Sequence, residues 1–313
     1  MSEAKGMSVP SEIVIPKETQ VTSRQKTLWF PYALIAPTMI TLTVVSLIPF
    51  LYTIYLTFHK MNYAQVGAFS GFANYRELLG NSAFWHSVWV TTLFVAIAVP
   101  IEFSLGLAGA LLLHQKIRLR QAVVPLLFIP TMMAPVVVAI LWKIMLAGAW
   151  GMLSYNVLER FGIIKEVSAF ASADLALYAI IFVDIWEWTP FMTLAFFAGL
   201  QSLPLNPYRA AAVDGATPVQ TFFRLTIPLM VPLLAVIVLL RFIDAFKIFD
   251  TIFLLTAGGP GVATESVSIF TYKTVFNYWK MGTATVTAVV IWILFFIFCN
   301  VFYQVAQKKL KAF

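Results

Sequence analysis

Six stretches of apolar sequence, near 31–58, 88–114, 122–146, 175–201, 227–256 and 285–306, are each long enough to cross a bilayer, which takes about 20 residues of α-helix. No other feature restricts the fold as severely. Inside hydrocarbon every backbone N–H and C=O has to be satisfied within the protein, so apolar runs of this length become helices. Hydrophobic residues make up 60% of the chain and charged residues 11%, against about 45–50% apolar in soluble domains. The expected fold class is an all-α integral membrane protein with six transmembrane helices. The first and fifth runs exceed the minimum length, so each is expected to tilt or to include an interfacial turn. A short basic turn, Gln115 to Gln121, joins the second and third.

The net charge of +7 would suggest a nucleic-acid partner if the basic residues lay on one face. They gather instead at the chain ends and in two loops, as topology signals do. With the N-terminus inside, the inner segments hold Lys5, Lys17, Arg24, Lys26, Lys116, Arg118, Arg120, Arg209, Arg224, Lys308, Lys309 and Lys311. The outer loops hold Lys60, Arg76, Arg160, Lys165, Lys273 and Lys280. This bias puts both termini in the cytoplasm. Trp85, Trp89, Trp150, Tyr155, Tyr278 and Trp279 in the outer loops suit an interfacial aromatic belt. Residues 1–27 are expected to form a polar cytoplasmic tail, too charged for a signal-peptide n-region. A membrane domain is expected over 28–306 and a short cytoplasmic tail over 307–313. Cys299, the single cysteine, cannot make an internal disulfide.

Between the fourth and fifth runs lies a compact, partly polar segment, 206–228. It carries its own helix punctuation. Asn206 can cap a helix that begins at Pro207, and Thr217 can cap another that begins at Pro218. Gly215 can end the first helix or let it turn sharply. The expectation is a cytoplasmic two-helix loop over 206–226, pressed into a partner.

Ionisable groups inside spans are costly and usually face protein or a water-filled cavity. Here they are Glu102, Lys143, Asp184, Glu187, Arg241, Asp244, Lys247 and Asp250. On a helix, Asp184, Glu187, Trp188 and Phe191 share one face. Pro190 removes a donor and clashes one turn back, near Trp186, so a local break is expected there. Carboxylates that accept from hydroxyls, beside aromatic faces, suit a sugar or polyol. Asp184, Trp186, Glu187 and Trp188 are the leading substrate contacts. The same residues also suit an outer-interface position, with the carboxylates paired to Lys or Arg and the tryptophans in the aromatic belt. Arg241, Asp244, Lys247 and Asp250 recur at intervals of three with alternating sign, an ion-pair ladder along one helix stripe. Asp244, with Arg241, is the candidate there for substrate contact. Glu102 and Lys143 read as polar links between helices.

Arg209-Ala210-Ala211, three residues, Gly215, nine residues, Leu225, one residue, Ile227-Pro228 resembles the EAA loop of ABC-importer permeases. The spacing matches without a gap, and Asp214 and Ala216 fit the sugar-importer version. Pro190 with Ala198-Gly199-Leu200-Gln201-Ser202-Leu203-Pro204 resembles the family's approach to that loop. Phe249-Asp250 with Leu255-Thr256-Ala257-Gly258-Gly259-Pro260-Gly261 is similar to the exit of the next span in MalF-type carbohydrate permeases. The resemblance implies a permease subunit in the bacterial cytoplasmic (inner) membrane. Its implied partners are a second permease, two ATP-binding subunits that hold ATP and Mg, and an extracytoplasmic solute-binding protein. It implies that Tyr208, Arg209, Ala210, Ala211, Asp214, Gly215, Ala216, Ile227 and Pro228 form the coupling region docked on an ATPase. Position 209 departs from the pattern, since Arg stands where the family usually has Glu. The implied mechanism is alternating access, with a substrate site about midway across the membrane on the fourth and fifth spans.

The chain has no Walker A sequence, so ATP hydrolysis is expected from another polypeptide and no cofactor on this one. His59, His86 and His114 are scattered without metal spacing, and no nucleophile elbow is present. The expected role is transport rather than catalysis. The alternative is a stand-alone ion- or proton-coupled transporter that uses the buried carboxylates.

Overall fold

The computed structural model describes residues 29–62, 65–115, 120–147, 151–153 and 169–311. The expected 1–27 tail lies outside the described residues. So do Lys116, Arg118, Trp150, Tyr155, Arg160, Lys165 and residues 312 and 313. The chain divides into two compact units, residues 1–51 and 52–313. In the first, α1 (Trp29–Leu42) passes through a π turn at Thr43–Leu47 into α2 (Ile48–Thr57). Tyr32–Thr57 is an apolar helix of 26 residues, and nothing in its most apolar window is buried. A helix that is hydrophobic all round suits a membrane span.

The second unit takes up the end of α2 and continues into a small antiparallel hairpin, β1 (His59–Asn62) and β2 (Gln65–Phe69), which pairs His59 with Phe69 and Met61 with Val66. After α3 (Ala73–Leu79), the long α4 (Ser82–His114) begins on Asn81, whose side chain accepts from the Ala83 N–H at 2.9 Å. That cap satisfies one of the open donors at the helix start.

The run expected as one span over 122–146 is broken. It forms α5 (Arg120–Met132) and α6 (Pro135–Met145), whose axes are bent by 91°. Pro135 cannot donate a hydrogen bond and holds Ala134 extended, at ψ 138°, so the helix cannot pass through. By length and composition, five helices among the described residues can cross a membrane, or six if this bent pair is one span.

The next helix, α7 (Ala176–Gln201), packs most extensively on α4. Lipid gives apolar helices no hydrophobic reason to associate, so close van der Waals packing has to hold them. Gly106 of α4 permits that approach. A Cβ there would lie 2.5 Å from the Met192 Cβ of α7. Phe94, Ala98, Ile180, Met192, Phe196 and Met230 fill the core around this crossing. The break expected at Pro190 is absent, and α7 is continuous through it. Pro190 is buried, and Thr131 of α5 donates to the Glu187 carbonyl, in the turn before it, at 2.7 Å, the kind of neighbouring-helix contact that lets a membrane helix tolerate a proline.

Beyond α7 come α8 (Leu205–Val213) and α9 (Pro218–Thr221), then a π turn at Phe222–Thr226 that leads into α10 (Ile227–Phe246). The fifth apolar run is not one helix either. Lys247–Phe249 separate α10 from α11 (Asp250–Leu255). Hydroxyls take up the carbonyls freed at this break: Ser268 donates to Lys247 O and Ser266 to Ile248 O, both at 3.3 Å. The unit closes with α12 (Val267–Phe276) and α13 (Met281–Lys311). Residues from 307, expected as a tail, continue α13 to Lys311, in keeping with helix formers and no Gly or Pro in this stretch.

Candidate functional site

α7 and α10 turn their ionisable residues toward one cavity of about 250 Å³. Asp184, Glu187 and Trp188 come from α7, and Arg241 and Asp244 from α10. Lys247 to Thr251, at the break between α10 and α11, and Pro135, at the elbow between α5 and α6, complete the lining. Both helix interruptions therefore border the cavity, as irregular backbone at membrane depth requires.

Arg241 organises the site. Its side chain is 1% exposed. Nε donates to Glu102 Oε2 at 2.7 Å and Nη2 to Glu102 Oε1 at 2.9 Å. Nη2 also donates to Asp184 Oδ2, and Nη1 lies 3.5 Å from Asp244 Oδ2. The Trp188 ring covers the guanidinium, 4.8 Å from ring centroid to Cζ. A planar fork with fixed donors matches this two-pronged contact, which a lysine could not reproduce. The ion-pair ladder expected along one stripe is thus mostly replaced by contacts between helices. Arg241 and Asp244 do meet, but the strongest partners of Arg241 come from α4 and α7. Lys247 falls at the end of α10 and Asp250 at the start of α11, so the helix break ends the ladder.

Glu187 differs from the other acids. The residue is 3% exposed and lines the cavity. Among the described residues its carboxylate has no hydrogen-bond or ion-pair partner, whereas its backbone carbonyl accepts from Thr131 Oγ1 at 2.7 Å. Trp188 stands beside it, as the shared helix face requires. Trp186 points elsewhere, edge-on to Trp142 with ring centroids 5.4 Å apart, and does not line the cavity. Lys143 reaches from α6 to the Leu254 carbonyl at 2.8 Å, where it caps the end of α11.

The segment between α7 and α10 forms a second site. The expected cap at Asn206 is displaced: α8 begins at Leu205, with Pro204 in the cap position. Pro204 is extended, at ψ 135°, and Pro207 falls in the first turn, where its missing N–H has no intrahelical partner to lose. The far end closes as a Schellman turn. The Ala216 N–H donates to Ala211 O at 2.9 Å and the Gly215 N–H to Ala212 O at 3.3 Å. Gly215 supplies the left-handed φ of +72° that this turn requires. Thr217 then caps α9. Its Oγ1 accepts from the Gln220 N–H at 3.3 Å, and Gln220 Oε1 accepts from the Thr217 N–H at 2.9 Å, a complete capping box. α8 buries none of its residues. Arg209, Ala210, Ala212, Val213 and Asp214 are exposed, and Arg209 has no ion-pair partner among the described residues.

Sequence reasoning had singled out Asp184, Glu187, Trp188, Arg241 and Asp244, and these do come together. It missed the pairing of Glu102 with Arg241, and it missed Pro135, Ile248, Phe249 and Thr251 in the lining. The alternation of sign along 241–250 hid the first, because it offered nearer partners.

A helical membrane body with charged side chains on a cavity between helices, joined to a separately capped polar knob, is the build of a transport subunit. Residues 103–312 match the family described as "Binding-protein-dependent transport system inner membrane component", and the chain belongs to that family. It is 34% identical over 252 residues to the trehalose/maltose transport system permease protein MalF of Thermococcus litoralis, covering 80% of this chain and 83% of that one. It is 32% identical over 282 residues to the trehalose transport system permease protein SugA of Mycobacterium tuberculosis, covering 87% and 88%. The fold is similar to a chain of a bacterial alginate ABC transporter solved in complex with an alginate pentasaccharide-bound periplasmic protein. The TM-score is 0.78, at 22% identity, with 90% of this chain and 96% of that chain covered. The chain is thus an ABC-importer permease subunit of the inner membrane, a transport component and not an enzyme.

Proposed function

We propose that this subunit carries a sugar, polyol or related hydroxyl-rich solute, and that Glu187, Trp188 and Asp244 touch it. The observation that carries this reading is the Glu187 carboxylate, unpaired among the described residues and facing the cavity beside Trp188. A carboxylate accepts from hydroxyls and an aromatic face covers the C–H surface of a sugar. Asp184 and Glu102, both committed to Arg241, form with it the floor that holds these groups in place. Trp186 buttresses α7 through Trp142. With the Arg241 guanidinium taken by carboxylates, and with Glu187, Asp244 and Asp250 facing the same cavity as Lys247, neutral cargo suits the cavity better than phosphorylated cargo. The relatives named for trehalose and maltose support the same class.

The knob at 206–226, with Ile227 and Pro228 at the foot of α10, docks on an ATP-binding subunit from the cytoplasmic side, where both termini also lie. Ala210, Ala211 and Ala216 allow close approach, and the exposed side chains of Arg209, Ala212, Val213 and Asp214 supply the contact. A second permease completes the pathway, two ATPases hold ATP and Mg, and an extracytoplasmic binding protein delivers the cargo. Closure of the ATPases moves the knob, opens the cavity outward and admits cargo, and hydrolysis resets the assembly. The test is the ligand spectrum of the cognate binding protein, read by thermal shift. Stabilisation by neutral sugars or polyols that the assembled importer then takes up is expected. Stabilisation by phosphorylated compounds or amino acids alone contradicts the cargo assignment.

A further inference from the structure

The knob is tied to α10 by more than the chain itself. Tyr208 on α8 donates its hydroxyl to Thr226 Oγ1 at the foot of α10, 3.0 Å away. Thr226 is buried, and its hydroxyl lies 3.4 Å from the Thr221 carbonyl, to which it donates. A threonine in an α-helix bonds back three or four residues. Thr226 reaches back five because Phe222–Thr226 form a π turn. Thr221 in turn donates to Thr217 O at 3.0 Å, and Thr217 is locked by the capping box. One thread of hydroxyls therefore joins α8, α9 and the start of α10.

Among the described residues, this is the one side-chain hydrogen bond made from α8. The helix buries nothing, and the link from α8 to α9 passes through the left-handed Gly215. Without the Tyr208–Thr226 bond, a push on α8 would be absorbed at that turn. Above Thr226, α10 runs unbroken from Ile227 to Phe246 and carries Arg241 roughly 22 Å further on at about 1.5 Å per residue. π turns inside helices often mark functional positions, and this one brings the Thr226 hydroxyl within reach of both partners.

We infer that the Tyr208–Thr226 hydrogen bond is a positioning link that makes the knob and α10 one lever, so that movement of α8 reaches the Arg241 cluster. This rests on the assignment of 206–226 as the ATPase-docking knob. Tyr208 and Thr226 act through the helices they join and not on cargo or nucleotide.

The test uses the complete importer in lipid vesicles with loaded binding protein, and reads solute taken up per ATP hydrolysed. Tyr208→Phe and Thr226→Val each remove one hydroxyl and keep the shape. Each is expected to lower that ratio about fivefold, the worth of one ordinary hydrogen bond, and the double variant to fall no further. Thr226→Ser, which keeps the hydroxyl, is expected to retain the wild-type ratio. An unchanged ratio in both Tyr208→Phe and Thr226→Val overturns the link. So does loss of assembly with the ATPases in both, since the bond would then be a folding contact. If ATP hydrolysis by the wild-type importer does not respond to loaded binding protein, the docking reading fails before any variant is compared.

Discussion

Glu102 on α4 and Arg241 on α10, 139 residues apart in sequence, meet through two hydrogen bonds of 2.7 and 2.9 Å. Both side chains are sealed from solvent, and Asp184 of α7 shares the same guanidinium. Three helices are pinned at one buried point on the wall of the cavity. Removing the guanidinium would leave two buried carboxylates, Glu102 and Asp184, without a counter-charge, at a cost of about 3–5 kcal/mol. Arg241→Met is therefore expected to lower the melting temperature of the purified subunit or complex sharply. An unchanged melting curve would show that the cluster holds nothing together.

Glu187 should behave differently, because among the described residues its carboxylate has no partner to abandon. Glu187→Gln keeps the shape and removes the charge. Assembly and melting temperature are expected to stay at wild-type values while uptake at low solute concentration drops about tenfold, the loss of a charged hydrogen bond worth about 1.5 kcal/mol. The check is the concentration dependence of initial uptake. Wild-type kinetics would make Glu187 a wall residue.

Gly215 is required for its backbone and not for space. At φ +72° a Cβ would meet nothing within 4 Å, yet an L-residue held in the left-handed region costs about 1–2 kcal/mol. Gly215→Val should insert normally but open the Schellman turn and misalign α8. ATP hydrolysis is then expected to continue with little uptake. Full uptake per ATP would contradict a coupling role for the turn.

Arg209 is exposed and stands where the family pattern usually has Glu. Its docking partner is expected to offer an acid or a neutral surface. Arg209→Glu should weaken assembly with the ATPase, and a compensating charge change in the ATPase cleft should restore it. A double-mutant cycle on assembly with zero coupling would show that small residues and backbone alone make the contact.

Much of this arrangement is legible in the chain. The apolar runs mark out the helices because hydrocarbon leaves the backbone no other choice, and the face shared by Asp184, Glu187 and Trp188 follows from helical period alone. Thr217-Pro218-Val219-Gln220 announces its capping box in the residues themselves. What the sequence conceals is set by distant parts of the chain. Nothing local links Glu102 to Arg241. Pro190 and Pro135 look alike as helix breakers, yet α7 passes through the first, which is buried, while the chain turns at the second. Trp186 and Trp188 are two residues apart, and the period that puts Trp188 on the cavity turns Trp186 to Trp142.

The measurement that tests the central claim most directly is solute uptake into vesicles, with this chain alone and with the full set of partners. The account predicts uptake only when the second permease, the ATPases, ATP and a loaded binding protein are all present, with no effect of collapsing ion gradients. Uptake by this chain alone, driven by a proton or sodium gradient, would contradict it.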